Sequence, residues 1–146
     1  NSNESEQASK LFFDKWFNNK IVLDSWFYFS ASLESNKPLD KIERLFKHEL
    51  FDNKSPNTLR SILTGYVQNN RSFHSKDGSG YNFIAKKIIE YDRINPIIIS
   101  RFLKIFSRWN LYKEPYRSQM FKAINLINEN NLSNNSREVI NLILNK

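Results

Sequence analysis

Apolar residues recur at intervals of three and four along almost the whole of this chain, and no segment alternates apolar with polar residues between hairpin turns. A period near 3.6 marks one face of an α-helix, so the pattern predicts an all-α fold. A first helix over about residues 4 to 17 carries Leu11, Phe12, Trp16 and Phe17 on one side. Asn18 and Asn19 break it, and a second from about Ile21 to Ala31 carries Val22, Leu23, Trp26, Phe27 and Phe29. Pro38 opens a third, in which Leu39, Ile42, Leu45 and Phe46 form an amphipathic stripe facing a core. Ser55-Pro56-Asn57-Thr58 offers capping chemistry for a fourth, running through Leu59, Ile62 and Leu63 to about Val67. Proline suits the first turn, and short polar side chains accept its free amides. Residues 69–79 read as a turn region, and further helices are expected over about 80 to 93, 96 to 109, 115 to 129 and 135 to 145. Short links between successive helices imply antiparallel hairpins, and hairpins in series build a superhelical stack of the HEAT-like α-α kind. No strict sequence repeat accompanies it.

The 146 residues, 40% hydrophobic and 14% aromatic, suffice for one packed helical domain over 1–146 and exclude a disordered tail. No apolar run approaches the roughly 18 residues that span a bilayer. The polar start, Asn1-Ser2-Asn3-Glu4-Ser5-Glu6, is unlike a signal peptide. With no cysteine, disulfides, thiolate metal sites and cysteine nucleophiles are excluded together. The expectation is a soluble, cytoplasmic protein, and the missing initiator methionine points to a fragment of a longer polypeptide. A net charge of +7 raises the question of a nucleic acid or an acidic membrane. Basic and acidic residues are interspersed, however, and the longest purely basic run is Lys86-Lys87, which reads as a solvated surface with no nucleic-acid and no membrane partner.

The stretch from Phe73 to Arg101 discriminates best between functions. In Asp77-Gly78-Ser79-Gly80-Tyr81 the glycines allow positive φ or close backbone approach, and the Asp77 or Ser79 side chain can accept from the first amides of the next helix. The result is a stiff helix entry. A phosphate cradle would need GxxxxGK[ST] or a preceding strand, and neither is present. His74 and Asp77 are too few for a zinc site, so His74 reads as a side chain satisfied inside the corner. His48-Glu49-Leu50-Phe51-Asp52 looks like HExxH with its last ligand replaced, which removes a group that metalloprotease chemistry requires. Asn95-Pro96 is a strong helix start. A continuous helix from there places Arg101, Lys104 and Arg108 along one face, opposite Ile98, Ile99, Leu103 and Phe106. Such a stripe reads as solvent-facing or, more sharply, as anion recognition, because guanidinium presents a planar fork to carboxylate or phosphate; Arg60 is the other candidate.

Phe73-His74-x-x-Asp77-Gly78-Ser79-Gly80-Tyr81 followed by Asn95-Pro96-x-x-x-Ser100-Arg101 closely resembles the C-terminal helical domain of the aminopeptidase N family of zinc-dependent alanyl aminopeptidases. Val22-Leu23-Asp24-Ser25-Trp26-Phe27, Leu59-Arg60-Ser61-Ile62 and Arg108-Trp109-x-x-Tyr112 resemble family segments in the same order, so the likeness covers nearly the whole chain. The resemblance implies a C-terminal domain that caps the catalytic cleft of the same polypeptide and forms a chamber and channel for peptide substrates. It implies zinc in the parent enzyme, bound by a catalytic domain with GxMEN and HExxH. This chain lacks both motifs and holds no catalytic or metal residue of its own. Arg60 and Arg101 then look like the two arginines that reach toward the chamber on the leaving-peptide side. Ile97 stands where well-known members have a glutamine near the first-residue pocket, which implies a more apolar preference. Two other readings carry predictions: a free-standing helical-repeat module that binds a protein partner, and a nucleic-acid binder using Arg101, Lys104, Arg108 and Trp109.

Overall fold

The computed structural model describes residues 2–16 and 19–145, with every regular element among them helical. In chain order these are α1 (Ser2–Trp16), α2 (Lys20–Ser32), α3 (Pro38–Phe46), α4 (Pro56–Gln68), a single turn α5 (Asn70–Phe73), α6 (Ser79–Tyr91), α7 (Pro96–Phe102), α8 (Tyr116–Asn128) and α9 (Asn134–Leu144). Two 3-10 segments, Leu103–Phe106 and Trp109–Leu111, lie between α7 and α8. The chain divides into two compact units, Asn1–Phe73 and His74–Lys146.

In the first unit the core rests on α2, α3 and α4. Leu59, Ile62, Leu63 and Tyr66 stand at i, i+3, i+4 and i+7 of α4, and all four are fully buried. That spacing is one helical face. They join Phe27 and Ala31 of α2, Ile42, Leu45 and Phe46 of α3, and Phe73. Thr58, early in α4, donates its hydroxyl hydrogen to Asp24, early in α2. Gly65, late in α4, lies against Tyr28 and Ala31 further along α2. The two helices therefore run in the same direction, with α3 as the return. A Cβ on Gly65 would stand 2.5 Å from the Tyr28 carbonyl oxygen and 2.9 Å from the Ala31 Cβ, so only glycine permits this approach.

The second unit repeats the logic. Tyr81, Ile84, Ala85 and Ile88 of α6 and Met120, Ala123, Ile124 and Ile127 of α8 follow the same i, i+3, i+4, i+7 spacing and are buried. Gly78, at the entry of α6, abuts Gln119 in the first turn of α8. At the other end of α6, Arg93 donates to the Asn131 and Leu132 carbonyls beyond the end of α8. These helices also run the same way, with α7 between them in sequence. α9 is anchored by Asp92, which is 1% exposed. Its carboxylate accepts from the Ser133 amide at 2.6 Å, from the Ser133 hydroxyl at 2.8 Å and from the Ser136 hydroxyl. Ser133 is in turn the N-cap of α9, accepting from the Ser136 amide. A carboxylate at a helix N-terminus meets the positive end of the backbone dipole. Arg137 adds bonds to Asn128 and to the Asn130 carbonyl.

Several local expectations change. The helix expected over 96 to 109 ends at Phe102 and tightens to 3-10, which eclipses residues three apart and aims Leu103 and Phe106, both fully buried, into one core. Trp109 is held by its indole N–H on the Ile143 carbonyl at 3.1 Å and stacks on Phe121. The turn region 69–79 contains the short α5. Ser55 is the N-cap of α4 but bonds the Thr58 hydroxyl, not an amide. Leu11, on the apolar side expected for α1, is 71% exposed. Phe17 and the side chains of Phe12 and Trp16 lie outside the described residues.

Candidate functional site

The corner before α6 is built from short side chains that tie backbone to backbone. Gly78 has φ +79°, the left-handed region, and a Cβ there would collide with the Gln119 side chain. Gly80 lies within α6, and its φ is not positive. Asp77 Oδ1 accepts from the Ser79 amide at 2.9 Å. This bond, with those from the Ser79 and Ser75 hydroxyls, holds its carboxyl below the usual range. Ser75 bonds the Ser79 hydroxyl at 3.0 Å and accepts from the Gly80 amide. Its role was missed in the sequence, where nothing marks it apart from its place four residues before Ser79.

His74 begins the same corner. Its Nδ1 pairs with the Tyr81 hydroxyl, its ring stacks on Tyr112 at 5.5 Å, and Tyr116 meets it edge-on. Burial lowers the His74 pKa. It also raises that of Tyr81, with Tyr112 and Tyr116 adding to the effect. The pair is therefore held as neutral imidazole and neutral phenol, suited to bracing a loop.

Arg60 projects from α4 at the edge of a groove of about 480 Å³ between α2 and α4. Ile21, Asp24 and Tyr28 line one side, and Asn57, Ser61 and Thr64 line the other. Asp24 is occupied by Thr58, whereas the exposed Arg60 guanidinium has no hydrogen-bond or ion-pair partner among the described residues. Arg101 of α7 is likewise exposed and unengaged, in contrast to Arg93, Arg117 and Arg137, which are spent on structural bonds. Arg60 and Arg101 thus offer open planar forks to an anion or carbonyl. Ile97, one position after Pro96 at the start of α7, is 57% exposed and presents an apolar surface.

The remaining sequence candidates resolve as structure. Lys104 and Arg108 are exposed, but the break at Phe102 removes the continuous helical face expected for them with Arg101. Trp109 is committed to Ile143 and Phe121. His48 packs on Trp26 and Phe27 while its Nδ1 accepts from the Leu50 amide, so its half-buried ring has a packing role. Among the described residues no three His, Asp or Glu side chains gather as a metal site, and no helix is long and apolar enough to cross a membrane.

Comparison with known proteins bears on these features. A family described as Domain of unknown function (DUF3458_C) ARM repeats matches residues 1–145. ARM repeats are stacked helix hairpins, in agreement with the all-α superhelical class. The chain is 30% identical over 112 residues to aminopeptidase N of Escherichia coli (strain K12), which covers 76% of this chain and 13% of that protein. It is 29% identical over 136 residues to aminopeptidase N of Caulobacter vibrioides, covering 92% of this chain and 16% of that one. A crystal structure of Legionella pneumophila aminopeptidase A in complex with aspartic acid is similar with a TM-score of 0.90 and 26% identity, covering 99% of this chain and 17% of that chain. The chain therefore spans about a sixth or less of the length of these relatives.

Proposed function

The chain belongs to the DUF3458_C family of ARM-repeat domains and is a C-terminal domain of the aminopeptidase N family, and from that premise we propose that it serves a zinc-dependent aminopeptidase that removes N-terminal residues from peptides. In this reading the domain caps the catalytic cleft of the same polypeptide and forms the chamber through which peptides reach it. Arg60 and Arg101 bind the leaving-peptide side, and Ile97 gives the first-residue end an apolar contact. The observation that carries the reading is the match over residues 1–145 together with the two unengaged guanidinium groups at the positions the family likeness singles out.

The chemistry assigned to this chain is positioning. A guanidinium fork on peptide carbonyls or the terminal carboxylate fixes the register of the substrate and contributes binding more than bond breaking. A zinc ion would be held by the catalytic part of the polypeptide, where it would supply Lewis-acid polarisation of the scissile carbonyl. The described residues of this chain offer no three-ligand group for it. The His74 to Gly80 corner has a mechanical role, fixing the entry of α6.

The test uses the longer polypeptide with Arg60→Ala, Arg101→Ala and the double substitution, assayed on alanyl peptides of several residues and on an alanyl anilide with no leaving peptide. A charge-assisted hydrogen bond is worth about 1.5–3 kcal/mol, so each substitution should raise KM for peptides by about 10- to 100-fold. The anilide should be unaffected. Equal losses on both substrates would discard the arginine roles, and a polypeptide without chelator-sensitive activity would discard the peptidase reading.

A further inference from the structure

The first unit contains a second pocket, of about 320 Å³, bounded by α1, α2, α3 and the residues that follow α2. Among the described residues it shares none of its lining with the Arg60 groove. Ser30 of α2 lines it, is 7% exposed, and has a buried hydroxyl oxygen without a hydrogen-bond partner among the described residues. Buried hydroxyls are nearly always paired, so an orphan on a residue that lines a cavity marks a position where a partner is expected. Two cations, Lys41 and Arg44, stand one turn apart on α3 and both line the pocket. Lys41 donates one proton to the Leu33 carbonyl and keeps two others. The repulsion between the cations, and the attraction of Lys41 to Glu6, both act on the lysine. An anionic group set between Lys41 and Arg44 would relieve that repulsion, in the pocket that Ser30 also lines.

The rest of the lining has a different character. Glu6 and Glu34 supply two carboxylates, while Trp26, Leu33 and Leu45 supply apolar surface. The volume lies at the bottom of the roughly 300–1,000 Å³ range of small-molecule sites, which suits a small metabolite and not a folded partner. Charges of both signs beside an apolar wall match a small zwitterion with an apolar tail. We propose that this pocket binds a free apolar α-amino acid. Its carboxylate lies toward Lys41, Arg44 and Ser30, its ammonium toward Glu6 and Glu34, and its side chain against Trp26, Leu33 and Leu45.

The test reads Lys41 directly. Burial holds its pKa down to about 8, so its amine is partly free at neutral pH and reacts with an acylating reagent. A carboxylate seated beside it raises that pKa and slows the reaction. The 146-residue chain is acetylated with N-acetoxysuccinimide at about pH 7.5, with L-leucine as the probe, and Lys41 and Lys47 are followed by mass spectrometry. Saturable protection of Lys41 by about tenfold, equivalent to one pKa unit, with Lys47 unchanged, is the expected result. Isopentylamine, which lacks the carboxylate, and 4-methylpentanoate, which lacks the ammonium, should protect less. Ser30→Ala and Arg44→Gln should weaken protection by leucine while leaving far-ultraviolet circular dichroism unchanged. If either variant misfolds, the ligand series on the unsubstituted chain decides alone. No protection at leucine concentrations up to about 20 mM, a range that covers weak binding, would overturn the proposal. So would equal protection by all three compounds. The outcome is independent of the peptidase reading, because neither Arg60 nor Arg101 takes part.

Discussion

In the first unit two parallel helices meet where a side chain is missing, with Gly65 of α4 set against the Tyr28 carbonyl of α2. In the second unit the corresponding closure is polar, with Asp92 at the end of α6 gathering the Ser133 and Ser136 donors that start α9. The first arrangement depends on shape, since a close-packed contact has no room for one more methyl group. The second depends on completeness, since a buried polar cluster stabilises only while each of its members has a partner. Similar periodic helices are thus locked by opposite means, one tolerant of polarity but not of volume and the other the reverse.

The contrast is tested most severely by Asp92→Ala. It strands three buried donors, each worth about 1–3 kcal/mol when unsatisfied, and a loss of about 3–4 kcal/mol in denaturant unfolding is expected. Asp92→Asn, which keeps one acceptor oxygen, should lose about half as much. Gly65→Ala comes next, at about 2–3 kcal/mol, because the Tyr28 carbonyl is backbone and cannot step aside. Hydrogen exchange should locate the largest Asp92→Ala increase within residues 74–145 and the largest Gly65→Ala increase within 2–73. Matching exchange maps for the two variants would end the distinction. Gly78→Ala should lose about 1–2 kcal/mol, the penalty of a left-handed backbone with a Cβ.

A smaller effect separates the units by pH. The Lys41 pKa is lowered from 10.5 to about 8, by desolvation first and by Arg44 next, against the pull of Glu6. Between those values the unfolded chain binds more protons than the folded one, so stability should rise as pH goes from about 8 to about 10.5 and fall back as pH returns. Lys41→Met should flatten that rise, and an unaltered profile would show that Lys41 is not its source. Smallest of all is Arg60→Ala, whose unengaged guanidinium predicts a stability change within about 0.5 kcal/mol, so any kinetic effect would belong to binding.

How legible this was depended on sequence distance. The helices with prolines at 38, 56 and 96 begin where proline chemistry places them, and the buried stripes of α3 and α4 follow the apolar spacing. The end of α7 was hidden because residues three apart share a side in α and 3-10 helices alike, so Leu103 and Phe106 look the same in either. Around His74 the short-range turn could be read, whereas Tyr112 lies far along the chain and carries no local signal. Asp92 carries no local signal, since its partners are 41 and 44 residues away. Arg60 and Arg101 could be singled out by residue type and family likeness, but their freedom from partners among the described residues, which Arg44, Arg71 and Arg108 share, became visible only in the folded chain.

The reach of Asp92 sets an order of events on the ribosome. Every buried partner described for Gly65 has been synthesised before residue 73, so the first unit can close while the rest of the chain is still being made. Asp92 waits for Ser136, 44 residues later, an interval of about 2–9 s at typical rates of translation. A nascent chain arrested near residue 130 should therefore resist protease through α4 and remain cleavable through α6, and equal resistance of the two would show that the second unit folds without its latch.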